Sequence, residues 1–189
     1  MIKAKRIKVP KRFRRFIPLA CAGAVLLVGL LIWANPLLDL AGLLPTKAGS
    51  ARIYLSGLAE ETYINQVGEL EIHVVSEHNA INAAAVSLKV NPSMVEILSM
   101  STEESFCSLY LENNFDPRKG EAHVSCGTPT PGFSGDSVLM KIRVRYKLPG
   151  KTEFRLEPAD AMVLANTGGG TDILDKRLPM QQIYIKQTL

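Results

Sequence analysis

Tryptophan, cysteine and histidine are scarce in this chain of 189 residues, with one tryptophan, three cysteines and three histidines. The single tryptophan is Trp33, so nothing beyond residue 50 offers the indole platform that a flat polysaccharide surface uses. His73, His78 and His123 stand without an H-E-x-x-H run, and no serine lies in G-x-S-x-G, which removes the commonest hydrolase signatures. Sequential acids such as Glu60-Glu61 and Glu103-Glu104 fall in loops and read as solvated rather than paired for acid–base work. The chain is therefore read as non-catalytic.

Acid is missing from one end only. No Asp or Glu precedes Asp39, whereas eight basic residues (Lys3, Lys5, Arg6, Lys8, Lys11, Arg12, Arg14 and Arg15) fall in the first 15. They precede the apolar run Ile17 to Ala34, 18 residues that as a helix would span about 27 Å, close to the hydrocarbon thickness of a bilayer. A basic flank of this kind stays cytoplasmic, so residues 1–16 are expected inside, 17–34 as a signal-anchor helix in the lipid bilayer, and the rest outside. Cleavage after Ala34 is disfavoured by Ile32, and Cys21 lacks the residue pattern of a lipidation site. Without the basic cluster, residues 16–189 carry 14 basic and 18 acidic side chains, which gives no electrostatic footprint for nucleic acid.

Residues 35–50 read as a juxtamembrane linker, after which the hydrophobic period becomes two. Val138, Met140, Ile142, Val144 and Tyr146 alternate with Lys141, Arg143, Arg145 and Lys147, the pattern of a half-buried strand. Similar strands are expected at 52–55, 69–75, 83–90, 94–100, 106–111, 121–126, 152–156 and 161–164. Turns such as Asp116-Pro117-Arg118-Lys119-Gly120 separate them. No stretch after residue 50 carries a helical face, so the fold class is all-β, a jelly-roll sandwich of about nine strands over 51–174. The tail 175–189 contains MQQIYIKQ, which suits a further strand in its own sheet or on a neighbour's edge.

Several segments then resemble the cohesin domains. Val67-Gly68-Glu69 before ELEIHVV is similar to the family's V-G-D/E turn, and INAAAVSLKVNPSMVEILSM is similar to its strand pair around an Asn-Pro turn. GEAHVS, CGTPTPGFSGDSVLMKIRVRY and VLANTGGGTDIL resemble a lineage of membrane-attached bacterial cohesin-like domains. The resemblance implies a jelly roll related to carbohydrate-binding modules. It also implies a partner: familiar cohesins bind dockerin modules through one sheet face and so assemble polysaccharide-degrading enzymes.

Candidate contact residues lie in two loops. Tyr110, Asn113, Asn114 and Phe115 combine aromatic and amide groups suited to sugar stacking and hydrogen bonding. Thr130 and Phe133 lie in TPTPGFSG, where Phe133 is either an exposed anchor or a lid over the sandwich end. Cys107 and Cys126 either bridge neighbouring strands or remain two buried thiols. No cofactor is expected, although Asn166, Thr167, Thr171 and Asp172 around Gly168-Gly169-Gly170 could supply oxygens to a structural calcium if the loop were not simply a turn. The leading functional reading is an exoplasmic, non-catalytic module that binds another surface protein. Direct polysaccharide binding and a structural role in a surface assembly are the alternatives.

Overall fold

The computed structural model describes residues 50–187. The basic segment, the apolar run 17–34 and the linker up to residue 49 lie outside the described residues. Among those described, no helix is long and apolar enough to cross a membrane.

Ten strands follow in order: β1 Arg52–Ser56, β2 Glu61–Tyr63, β3 Val67–Val90, β4 Val95–Ser101, β5 Leu109–Asp116, β6 Glu121–Gly127, β7 Phe133–Tyr146, β8 Gly150–Leu156, β9 Met162–Ala165 and β10 Met180–Lys186. The long β3 organises them. Its first half pairs with β1 and β7, and β7 with β4, giving the smaller sheet. Its second half pairs with β6, β8 and β9, while β5 joins β6 and β10 joins β8 and β2, giving the larger.

Fully extended, 24 residues would reach about 80 Å. Instead β3 doubles back at Glu77–Ala80, where the buried Ser76 hydroxyl donates to Asn79 O at 2.6 Å. Both ends of β3 consequently lie together. Asn65 N–H donates to Tyr146 O, Lys147 N–H to Met94 O and Val90 N–H to Gly120 O. This is the distal end. The opposite, entry end holds Ser50, whose hydroxyl accepts from Asn79, together with the 128–132 turn and the glycine loop.

Alternation places Leu70, Ile72 and Val74 of the first half of β3, Val86 and Leu88 of the second, and Met140, Ile142 and Val144 of β7 between the sheets, all at most 1% exposed. Phe154 and Ile183 complete that core from β8 and β10. Gly120 is required at its turn: φ is +70°, and a Cβ there would meet Val90 O at 2.4 Å. Gly68 leaves room for the hydroxyl of Tyr146, whose burial pushes its pKa up to about 12.

The described architecture is all-β, with one more strand than the pattern suggested. β2 is only three residues long, and β5 begins three residues later than expected, at Leu109, with a bulge at Leu111 inside it. The tail strand pairs within its own sheet, antiparallel to β8 and parallel to β2.

Candidate functional site

The outer face of the larger sheet is built on small side chains. In β3 the outward positions are Ala83, Ala85, Ser87 and Lys89, and their β6 partners are Gly127, Ser125, His123 and Glu121. The inward positions Ala84, Val86 and Leu88 are taken up by the core, so the alternation that builds the sandwich also flattens its outside. Edge strand β5 adds Glu112 and Asn114 beside Ser125 and His123, and β9 adds Met162 beside Ala85.

The result is a shallow depression of about 810 Å³. Its floor is Ala85, Ser87, His123 and Ser125, and its apolar rims are Leu111, 89% exposed at the bulge, and Met162, 37% exposed. Asp160, Asp172 and Lys176 bound it toward the entry end.

The one side-chain bond across this floor joins Ser87 Oγ and His123 Nδ1 at 2.8 Å, with Glu121 3.8 Å from the other ring nitrogen. Such a pairing resembles a nucleophile and its base, but nothing supplies an oxyanion hole. The neighbouring backbone groups belong to the β3–β6 ladder, and Ser87 O accepts from Glu157 N–H. The bond holds two polar side chains flat on the sheet.

The fold of the described domain matches known structures. A type I cohesin in complex with a dockerin, from Clostridium thermocellum, superposes with a TM-score of 0.62 at 13% identity over 77% of this chain and 99% of its own. The cohesin module of a Clostridium perfringens family 33 glycoside hydrolase gives 0.56 at 14% identity over 76% of this chain and all of its own. A non-cellulosomal cohesin from Archaeoglobus fulgidus gives 0.52 at 13% identity over 71% and 91%. The domain has the cohesin fold. No family sequence model and no curated protein matches the sequence.

Within this cohesin fold the sequence-predicted contact residues separate. Tyr110, Asn113 and Phe115 oppose Cys126, Val124 and Ala122, so they point to the inner side of the sheet at its edge, while Asn114 points to the outer face beside His123. Tyr110 hydroxyl donates to Thr102 O and Cys107 O, and Asn113 amide donates to Thr102 Oγ1. These bonds fasten the segment before β5. Phe115 lies four β6 residues from Tyr110, about 13 Å along the strand.

Phe133 is at the entry end, half-buried, stacked on Phe106 at 4.8 Å. It therefore lids the sandwich. Thr130 is exposed between Pro129 and a cis Pro131. Tyr110, Phe115 and Phe133 do not share one aromatic platform.

Cys107 and Cys126 form a disulfide with Cα atoms 5.8 Å apart, tying the segment before the edge strand to β6. Of the oxygens offered to calcium, both carboxylate oxygens of Asp172 are engaged. Asp172 Oδ1 accepts the N–H groups of Val163 and Leu174, and Oδ2 pairs with Lys176 at 2.7 Å. Burial alone would raise its pKa, but Lys176 and the two amides outweigh it and hold the carboxyl below its usual range. Asn166 reaches away to donate to Pro131 O, and Thr171 is exposed, its carbonyl accepting from Ala165 N–H. Among the described residues no cluster of His, Cys, Asp or Glu could hold a metal.

The smaller sheet's outer face differs. His73 is 15% exposed, stacked on Tyr54 at 4.5 Å, with its ring nitrogens 3.2 Å from Asp136 and 3.1 Å from Glu71. Tyr54 hydroxyl donates to Asp136, and Lys141 bridges Glu71 and Glu104 at 2.8 Å each. His73 is thus a bonded member of this face and not a freely solvated side chain. Its outward direction is as the alternation indicates, but flanking strands bring partners that a single strand's sequence does not reveal.

Proposed function

We propose that this chain is a non-catalytic protein-docking module displayed outside the cell on a membrane anchor. The observation that carries the reading is the outer face of the larger sheet, an uncharged floor of Ala85, Ser87, His123 and Ser125 beside the protruding Leu111. A floor of small side chains lets a partner's backbone approach closely, and an exposed leucine supplies an apolar anchor for a partner's pocket. The fold shared with a cohesin solved in complex with a dockerin makes a dockerin-type module the first partner to test.

The apolar run 17–34, with its basic flank, holds the module at the bilayer and places 51–189 on the exoplasmic side. A disulfide between Cys107 and Cys126 suits that oxidising side. The polysaccharide alternative has weaker support, since its three aromatic residues are distributed over two ends of the sandwich.

Titration of a dockerin-type module into the full chain in nanodiscs tests partner and face together. Binding is expected, and Leu111→Arg or Ser125→Arg is expected to abolish it without unfolding the domain. Binding that survives both substitutions refutes this face as the dock. Protease added to intact cells should remove 51–189, and full protection would contradict the topology.

A further inference from the structure

Residues 51–189 contain 13 basic and 17 acidic side chains, yet the docking face is not uniformly acidic. At its distal end, Lys89 lies one residue before the end of β3, Arg118 and Lys119 lie in the β5–β6 turn, and Lys151 and Arg155 project from β8. Three of them line a depression of about 290 Å³ with Asn91 and Glu153. Lys151 lines its neighbour with Gln182.

By count, carboxylates offset all but one of these five cations, since Glu153 lines both depressions and Asp116, Glu121 and Glu157 lie beside the others. Glu121 pairs with Lys89 at 3.1 Å, which holds the Glu121 pKa below its usual range, and Arg155 pairs with Glu157 at 3.0 Å. Asp116 turns to accept the backbone N–H groups of Arg118 and Lys119. Arg118, Lys119 and Lys151 are exposed and make no ion pair among the described residues; Lys151 Nζ lies 5.9 Å over the Tyr184 ring. Toward the entry end the same face instead carries Glu112, Asp160 and Asp172, with Lys176 their one cation.

We infer that the partner docking on this face presents an acidic polypeptide segment to its distal end, over Lys89, Lys119, Lys151 and Arg155. The inference rests on the docking reading above and deepens it. The cations adjoin the uncharged floor, so a protein seated there reaches them without a second site. A uniformly anionic polymer continuing along the face would meet Glu112, Asp160 and Asp172, so the gradient favours a partner with acid at one end only. With screening over about 8 Å in physiological salt, such a gradient orients the partner and raises its association rate.

The probe is decaglutamate added to the full chain in nanodiscs of zwitterionic lipid, followed by backbone amide shifts residue by residue, which separates this site from the basic segment 1–16. Shifts are expected at Lys89, Lys119, Lys151 and Arg155. The variant K119E/K151E/R155E should weaken them roughly tenfold. The neutral variant K119Q/K151Q should weaken them less and guards against misfolding. Leu111→Arg should leave them unchanged. Shifts confined to residues 1–16, shifts indifferent to the reversal, or tighter binding of heparin at the same residues would overturn the inference. Failure of the docking reading looks different: decaglutamate still binds, but no protein contacts the floor at Ser125.

Discussion

The two outer faces of the sandwich are made by the same alternation and used differently. On the smaller sheet Tyr54, Glu71, His73, Asp136 and Lys141 are bonded to one another across β1, β3 and β7. On the larger sheet the floor residues Ala85, Ser87 and Ser125 are small, and Ser87–His123 is the one side-chain bond between strands on that floor, with Lys89 and Glu121 paired just distal to it. A face whose polar groups satisfy each other has little to offer a partner, since binding there would first break those bonds. The proposed dock is the face whose floor carries fewer such bonds.

The largest effect should come from breaking what both faces share. Leu88 is fully buried beneath the docking floor, and Leu88→Ala should cost about 2–5 kcal/mol in chemical denaturation. A loss below 1 kcal/mol would mean that the floor does not rest on a packed core. Next in size, replacing both Cys107 and Cys126 by serine opens a loop of 19 residues' separation and should cost about 3 kcal/mol. That variant should also weaken docking more than it disturbs the smaller sheet, because only the larger sheet's edge is tied by the bridge.

How much of this was legible beforehand depends on the element. The alternation in VLMKIRVRY assigned Met140, Ile142, Val144 and Tyr146 of β7 correctly, since burying one face of a strand leaves the pattern in the sequence, but a bulge buries Leu139 and sets Val138 beside the outward His73. The break inside β3 was legible as the gap between the strands expected at 69–75 and 83–90, but the means by which the chain reverses there within one continuous strand was not. Glu77-His78-Asn79-Ala80 contains neither glycine nor proline, and the bend is held by Ser76 bonding to a backbone carbonyl. The residues of the docking floor were visible as the small side of INAAAVSLKV, but their grouping with Ser125, His123 and Leu111 depends on strand order and on a bulge. Periodicity encodes neither. The aromatic loop residues were chosen for their chemistry, and register then sent Asn114 to one side and Tyr110, Asn113 and Phe115 to the other.

Smaller effects sharpen the contrast. Asp136→Ala removes partners from Tyr54 and His73 and should cost about 1 kcal/mol while leaving docking intact. Ser125→Arg should do the reverse, changing stability by less than about 0.5 kcal/mol and abolishing docking. The acid limb of stability should depend on Asp172 and Glu71. Their folded pKa values lie below the unfolded ones, so their contributions are present above the unfolded carboxylate range and fade as pH falls through the folded values. For Glu71 the cause is chiefly Lys141, then His73. Melting temperature measured from pH 6 down to about pH 2 should therefore fall less steeply in Asp172→Asn than in the parent. Parallel curves would remove Asp172 from that account.

The most direct test places a photoreactive side chain at position 125 on the floor or at position 54 on the sealed face, in the full chain and in its native cells. The account predicts a discrete protein adduct from position 125 and none from position 54. Adducts from position 54 alone, or from neither position, would contradict the claim that the outer face of the larger sheet is where this protein docks its partner.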